Sequence, residues 1–275
     1  MTVADARAGT LGAGAGAGTA ATAAAPAPAL AVEELTWRVG GRAVVDRVGF
    51  AVAPGELLAV IGPNGAGKTT LFNLVSGLLR PDSGRIMLAG REVTRLPTHR
   101  RVRHGLGRTF QTSSVFPEMT VAQNAQLAAQ AAIAGPYGSL KVWTRIGRPA
   151  RERAAEALER TRLARRADAR AGALSHGEKR KLELAILLAG RHRVLLLDEP
   201  MAGMAAEEVP ELTELIREVH RDGATILMVE HHMEVVLGLA QRVAVLHHGA
   251  LLACDRPAAV VDDPAVREAY LGEPL

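Results

Sequence analysis

A glycine-rich loop between two apolar segments constrains the fold of this chain more than any other feature. The apolar run Leu57–Ile61 precedes the loop, and the apolar residues after it predict a helix. The loop residues are Gly62, Pro63, Asn64, Gly65, Ala66, Gly67, Lys68, Thr69 and Thr70. A strand, a loop of the form G-x-x-x-x-G-K-[ST] and a helix, in that order, are the context of a phosphate-binding loop (P-loop).

The loop has the residue types that binding a nucleotide requires. Glycines let backbone N–H groups turn towards phosphate oxygens, and the N-terminus of the following helix adds positive potential. Lys68 is expected to reach the terminal phosphates, and the Thr69 hydroxyl is expected to ligate Mg²⁺. An ordinary glycine turn is the alternative, and the presence of both Lys68 and Thr69 argues against it.

Alternating helices and strands in the second half of the chain predict a parallel sheet covered on both faces. The predicted pairs are helix 178–189 with strand 193–197, helix 207–221 with strand 224–229, and helix 232–239 with strand 242–246. The pattern therefore indicates an α/β fold.

The first half has two other patterns. Strands over Leu30–Val39 and Arg42–Val52, joined by a Gly40-Gly41 turn, predict a hairpin, and a further strand is expected over Arg85–Leu88. The helix after the phosphate loop is expected to end near Leu79, before a Pro-Ser-Gly cluster. Alanine-rich stretches predict helices over 121–133 and 150–163.

Composition narrows the cellular context. The single cysteine, Cys254, excludes an internal disulfide and is typical of a reducing compartment. No stretch approaches the ~18–20 apolar residues of a membrane span, so other chains would have to cross a membrane at which this protein acts. Residues 1–29 are mostly Ala, Gly, Thr and Pro and predict a disordered tail. A signal peptide is the alternative, but the basic and leucine-rich regions of one are missing.

Two arginine-rich segments, 98–108 and 145–170, could contact nucleic acid or anionic lipid. Neither has interleaved aromatic residues for base stacking. We expect solvated helix faces and no nucleic-acid partner.

A buried strand over Val194–Leu197 is followed by the carboxylates of Asp198 and Glu199. In phosphate-loop ATPases the first carboxylate holds the Mg²⁺ shell. The second can orient or deprotonate the attacking water. Downstream of a phosphate loop this pattern is specific.

The segment Leu174-Ser175-His176-Gly177-Glu178 resembles the L-S-G-G-E/Q signature of ATP-binding cassette (ABC) ATPases. Taken alone, it predicts a capping box between Ser175 and Glu178 at a helix start. The resemblance implies that Ser175, Gly177 and the helix start with Glu178 contact the γ-phosphate of ATP bound to a second subunit. His176 stands where the family usually has its first glycine.

The remaining family motifs follow in order. Gln111, in Arg108–Gln111, matches the glutamine loop that contacts Mg²⁺ and the membrane subunit. His231 matches the switch histidine that contacts the γ-phosphate. Two positions depart from the family: Val39 stands where an adenine-stacking aromatic is expected, and Ala205 stands where an aspartate is common.

The resemblance covers roughly residues 30–273. It implies an α/β P-loop NTPase of ABC type over 30–275, with a mostly parallel core sheet, an N-terminal antiparallel β subdomain and a helical signature subdomain at about 116–190. His247 and His248 are expected on opposite faces of a strand and to be structural.

Several stretches are similar to the ATPases of branched-chain amino acid importers: Arg108–Gln111 with Val115-Phe116, Leu182–Ala185, Glu230-His231, and Asp263-Pro264 to Ala269–Glu273. The resemblance implies ATP and Mg²⁺ as cofactors and a position on the cytoplasmic face of the membrane. The implied partners are permease subunits, a second ATPase subunit and, indirectly, a solute-binding protein. Alternatives are a urea or amide importer, a lipopolysaccharide-type exporter and a soluble ABC ATPase.

Overall fold

The computed structural model describes residues 27–109, 115–134 and 143–270, without the side chains of 143–146 and 270. The predicted tail up to residue 26 and the predicted site residue Gln111 lie outside these ranges. Among the described helices, none combines the length and the hydropathy needed to cross a bilayer.

An N-terminal antiparallel sheet of four strands has the order β2-β1-β4-β5. Its strands are β1 Leu30–Val39, β2 Arg42–Val52, β4 Ser83–Leu88 and β5 Arg91–Glu92. The predicted hairpin and this sheet are therefore confirmed.

The hairpin register is not uniform. Val39 pairs with Arg42 across the Gly40-Gly41 turn, as expected. Trp37 pairs with Val45 whereas Arg38 pairs with Ala43, so Val44 is an additional residue in β2. A β-bulge beside the turn therefore absorbs the difference in register.

The central sheet has six strands in the order β10-β9-β3-β8-β7-β6. The strands are β3 Leu57–Ile61, β6 Leu106–Arg108, β7 Val194–Asp198, β8 Thr225–Val229, β9 Arg242–His247 and β10 Ala250–Asp255. All neighbours are parallel except β9 and β10. Every residue of β3, β7 and β8 is buried, as expected for strands covered on both faces.

Helices cover both faces of the central sheet. On one face, α1 (Lys68–Ser76) packs its apolar side chains between the two sheets. On the other, α6 (Val209–Arg221) contributes Leu212, Leu215, Ile216 and Val219 to a second core. This arrangement confirms the predicted α/β fold.

A separate helical core is formed by α3 (Val121–Ala134), α4 (Trp143–Arg160) and α5 (His176–Ala189). Alanines make up much of this core, and small side chains let helices approach closely. Helix α4 ends before the predicted Leu163, because Arg162 adopts a left-handed φ of 60°.

Several elements have no counterpart in the sequence predictions. They are β5, β6 and β10 and the helices α8 (Pro257–Asp262) and α9 (Pro264–Tyr270), whereas α2 (Thr98–Arg103) lies in the arginine-rich segment 98–108, where a helix face is expected. The predicted helix 232–239 is α7 (Met233–Leu239). Helix α1 ends at Ser76 rather than near Leu79, because Gly77 caps it with φ 82°.

The prediction of solvated arginine faces is wrong for two residues of segment 98–108. Arg101 is 1% exposed, and the Arg108 side chain is 8% exposed. Arg101 donates hydrogen bonds to the carbonyls of Leu74 and Val75 at the end of α1. Backbone carbonyls and one carboxylate thus replace water around these cations.

The second arginine-rich segment follows the prediction where it is described. Arg162, Arg166 and Arg170 remain substantially exposed and form ion pairs with glutamates. These pairs hold the helical elements only weakly, because exposed pairs contribute little to stability.

The two neighbouring histidines do not occupy opposite faces of a strand. His247 is the last residue of β9, and His248 lies in the following turn with φ 49°. Their ring centroids are 4.0 Å apart. Because β9 ends at His247, the alternation of side chains along a strand does not extend to His248.

Candidate functional site

The phosphate loop, the two carboxylates and His231 converge at one edge of the central sheet. The phosphate loop follows β3, His231 follows β8, and Asp198 and Glu199 lie at the end of β7. These strands are adjacent and parallel, in the order β3-β8-β7. Their carboxyl ends therefore meet, which is where open α/β sheets bind ligands.

The phosphate loop is packed tightly against β2 and the β9–β10 turn. Gly67 has φ 98°, and a Cβ there would lie 2.6 Å from the Val44 carbonyl oxygen. The same carbonyl would lie 2.6 Å from a Cβ at Gly249, whose N–H donates to Ala66. The bulged residue of β2 thus presses on the loop at a position that only glycine can occupy.

The side chain of Lys68 is buried within the loop. Its Nζ donates to the carbonyl oxygens of Gly62 at 2.5 Å and Pro63 at 3.1 Å. The ammonium is therefore held where the loop turns, with its charge directed at the space that the loop encloses. Thr69, in the first turn of α1, is exposed.

Asp198 is almost completely buried, and burial raises the pKa of its carboxyl group, an effect that Arg108 opposes. Its Oδ2 accepts a hydrogen bond of 2.8 Å from Arg108. Its Oδ1 has no hydrogen-bond partner among the described residues. A carboxylate oxygen of this kind fits Mg²⁺, which proteins hold through one or two carboxylates and substrate phosphates.

Glu199 adopts a left-handed backbone conformation with φ 48°. Its N–H donates to the Val229 carbonyl oxygen at 2.9 Å, which anchors the turn to the end of β8. Non-glycine residues in this region carry strain, and such strain is concentrated at functional sites. The conformation therefore supports a functional role for Glu199.

The side chain of Glu199 meets the predicted switch histidine. Nε2 of His231 lies 2.9 Å from Oε1 of Glu199, where it can donate to the carboxylate. The His231 side chain is 45% exposed and that of Glu199 is 22% exposed. The two side chains are thus hydrogen-bonded to each other and still accessible to solvent and substrate.

Glu230 is a site residue whose contribution sequence reasoning missed. Its side chain is 1% exposed. Oε1 accepts from the Met201 N–H at 2.9 Å, and Oε2 accepts from the N–H groups of His231 and His232 at 2.6 and 3.1 Å. Glu230 therefore joins the turn that carries His231 to the loop that follows Glu199. The sequence signal was its place directly before His231.

Glu230→Gln is expected to slow ATP hydrolysis about tenfold and to destabilise the fold by about 1–3 kcal/mol, because one buried donor would face another. An amide has a single acceptor oxygen, whereas both Glu230 oxygens accept N–H groups. ATP affinity is expected to change less than threefold. Phosphate release and thermal unfolding measure both effects.

Glu234→Gln, at an exposed position on α7, is the matched control and is expected to behave like the parent. Parental hydrolysis by a stably folded Glu230→Gln variant would exclude a positioning role for Glu230.

The signature segment begins α5 with the predicted capping box. The Ser175 hydroxyl accepts from the Glu178 N–H at 3.1 Å, and Glu178 Oε2 accepts from the Ser175 N–H at 2.9 Å. A Cβ at Gly177 would lie 2.6 Å from a carboxylate oxygen of Glu208. The glycine therefore permits this carboxylate to approach the start of α5.

His176, the departure from the signature, contacts the loop after Glu199. Its Nε2 lies 2.9 Å from the Ala202 carbonyl oxygen. Ala205, the second departure, lies in the same loop and is exposed. The signature and this loop are thus joined within one chain at the imidazole.

The hydrogen bonds of the signature join it to itself and to the loop that follows Glu199. Ser175 and Glu178 bond each other, and the Ser175 hydroxyl also donates to a Glu208 carboxylate oxygen at 3.4 Å.

The end of β1 presents Val39 to solvent, whereas Trp37 packs against the main core. Val39 is 54% exposed. The side chain available for contact with a base at this position is therefore aliphatic.

Val39→Tyr is expected to tighten ATP binding several-fold, because base–aromatic stacking contributes on the order of 1–3 kcal/mol. Trp37→Ala is expected mainly to lower the unfolding temperature, since Trp37 packs on the core. Nucleotide titrations and thermal unfolding of both variants test this pair of expectations. Loss of ATP binding by a folded Trp37→Ala variant would instead identify Trp37 as the adenine platform.

Comparison with protein families gives two matches. A model described as ABC transporter matches residues 45–202. A model described as branched-chain amino acid ATP-binding cassette transporter matches residues 250–274. The second match covers β10, α8 and α9, which lie beyond the site.

Individual relatives match along most of the chain. BraF of Pseudomonas aeruginosa, a high-affinity branched-chain amino acid transport ATP-binding protein, is 39% identical over 89% of this chain and 98% of its own. The lipopolysaccharide export system ATP-binding protein LptB of Acidithiobacillus ferridurans is 39% identical over 84% of this chain and 92% of its own. A nucleotide-free ATP-binding cassette from an ABC transporter superposes with a TM-score of 0.77 at 30% identity, covering 90% of this chain and 100% of that one.

Proposed function

The chain belongs to the ATP-binding cassette transporter family, and from this premise we propose that it is the ATP-hydrolysing subunit of an importer of branched-chain or related amino acids. The observation that carries the proposal is the meeting of the phosphate loop, Asp198, Glu199 and His231 at adjacent strand ends. The family match over residues 250–274 supports the amino-acid class of the solute.

Binding of ATP is assigned to the loop Gly62–Thr70. Backbone N–H groups and the start of α1 surround the phosphates, and Lys68 exchanges its contacts with loop carbonyls for the β- and γ-phosphates. Thr69 and Asp198 hold Mg²⁺, which supplies charge neutralisation on the phosphates when bound. Oδ1 of Asp198 is the oxygen that lacks a partner among the described residues.

Hydrolysis is assigned to the pair Glu199 and His231. Glu199 accepts a proton from the attacking water, and His231 orients its carboxylate through the 2.9 Å contact. The resemblance also gives His231 a contact with the γ-phosphate and gives Gln111 a contact with Mg²⁺. Gln111 lies outside the described residues, so its role rests on the motif alone.

The proposal requires two ATPase subunits. Ser175, Gly177 and Glu178, at the capped start of α5, contact ATP held by the partner, as the resemblance to the family implies. Closure around ATP and reopening after hydrolysis shift paired permease subunits between two states. We place the protein on the cytoplasmic face of the membrane, with a solute-binding protein as an indirect partner and no nucleic acid.

A second candidate is the ATPase of a lipopolysaccharide-type exporter, and the identity to LptB is the observation that favours it. The match over 250–274 favours the importer instead.

Uptake by the source organism tests the solute class. Deletion of the chain is expected to lower uptake of radiolabelled leucine at least fivefold, and the parent chain, but not Glu199→Gln, is expected to restore it. Unchanged leucine uptake together with a defect of the outer membrane would favour the exporter. Unchanged uptake with urea transport lost would identify the small-amide relatives.

A further inference from the structure

Arg108 ends β6 beside the metal-binding edge and has contacts that the family motifs do not explain. Its guanidinium donates to Asp198 Oδ2 at 2.8 Å from one nitrogen. The other terminal nitrogen donates to Asn73 Oδ1 at 2.9 Å, Ser76 Oγ at 2.6 Å and, at 3.2 Å, the Phe72 carbonyl oxygen. A single buried cation therefore bridges β7 and α1.

The two bridged elements hold the two proposed Mg²⁺ ligands that lie among the described residues. Asp198 is at the end of β7, and Thr69 is in the first turn of α1. A guanidinium is planar and presents its donors in a fixed fork, so its contacts on one side constrain the group on the other. Through these contacts, Arg108 constrains the position of the end of β7 relative to α1.

The two carboxylate oxygens of Asp198 also differ in their contacts. Oδ2 is taken by Arg108, while Oδ1 is buried without a partner among the described residues. A partial rotation of the carboxylate would break the bond to the buried Arg108 cation, whereas a half-turn only exchanges two equivalent oxygens. The bond therefore keeps one oxygen of the carboxylate available to a ligand.

We propose that Arg108 is a positioning residue for the divalent cation: it orients Asp198 relative to α1 so that one oxygen is reserved for Mg²⁺. This inference rests on the proposed function, since it presupposes a Mg–nucleotide site. An alternative explanation is that Arg108 serves only the fold, since removing one partner of a buried ion pair is strongly destabilising.

Arg101 supplies the control for the alternative. It is also a buried arginine bonded to carbonyls of α1, at Leu74 and Val75, and its contacts with Thr94 and Leu96 complete a set without a carboxylate. Arg101→Lys therefore perturbs the packing of α1 without touching Asp198. Arg108→Lys keeps the charge but loses the fork.

The experiment measures binding of a fluorescent non-hydrolysable ATP analogue to the full chain, at one pH, in EDTA and in Mg²⁺. The affinity of Arg108→Lys in EDTA is expected to stay within twofold of the parent's. The increase in affinity that Mg²⁺ gives is expected to be about tenfold smaller in Arg108→Lys than in the parent. Arg101→Lys is expected to keep the whole gain, even where its unfolding temperature falls further.

Retention of the full Mg²⁺ gain by folded Arg108→Lys would overturn the proposal, as would an equal loss in EDTA and Mg²⁺. If that variant does not fold, the double variant Asn73→Ala/Ser76→Ala removes the two side-chain acceptors of Arg108 on α1. Its affinity is expected to fall about threefold in Mg²⁺ and to stay unchanged in EDTA. An unchanged affinity in Mg²⁺ would overturn the proposal. A parent without analogue binding would overturn the proposed function itself, which separates the two failures.

Discussion

Glu199→Gln is expected to bind ATP with close to parental affinity and to hydrolyse it at least about a hundredfold more slowly, the contribution of a positioned general base. The amide keeps the shape of the side chain and its contact with His231, but it cannot accept a proton from water. ATP should then hold two subunits together for longer. Phosphate release measures turnover, and light scattering during size-exclusion chromatography measures the dimer.

Glu207→Gln provides the matched control, because Glu207 is an exposed glutamate in the loop that follows the site. It is expected to hydrolyse ATP and to dimerise like the parent. Turnover near the parental rate in Glu199→Gln would remove Glu199 from the reaction and require another base.

Lys68→Ala is expected to weaken ATP binding roughly 30- to 150-fold, because it removes charge-assisted phosphate contacts of about 2–3 kcal/mol. Lys68 is buried, and its ammonium donates to the loop carbonyls of Gly62 and Pro63, so the loss falls within the phosphate loop. Hydrolysis should fall with occupancy. Calorimetric titration with ATP and ADP separates the γ-phosphate contribution from the rest.

Lys179→Ala, in the first turns of α5, is the control for the loss of one positive charge. Its ATP affinity is expected to remain within twofold of the parent. Equal weakening in both lysine variants would mean that overall charge, and not the loop contact, determines binding.

The parts of the fold with a local pattern could be predicted from the sequence. Strands β1 and β2 match their predicted bounds, because alternation and the Gly40-Gly41 turn are local signals. Strand β6 has only three residues and depends on pairing with β7, far along the chain. No period exists over Leu-Gly-Arg, so this strand could not be predicted.

The site divides in the same way. Lys68, Asp198, Glu199 and His231 stand in motifs whose spacing is diagnostic, and the fold brings them to one edge. Glu230 and Arg108 act through partners that only the tertiary structure brings close, such as Met201 and Asn73. Burial of Arg101 was hidden for the same reason, because its acceptors are carbonyls at the end of α1.

The left-handed backbone conformation of Glu199 is expected to favour activity at the expense of thermal stability. Its φ of 48° is a region that L-residues enter at about 1–2 kcal/mol. Asparagine tolerates that region better than glutamate. Directed evolution that selects only for a higher unfolding temperature is therefore expected to replace Glu199 and to yield a more stable chain without ATPase activity. Glutamate at this position is therefore expected to serve turnover at a cost in the stability of the fold.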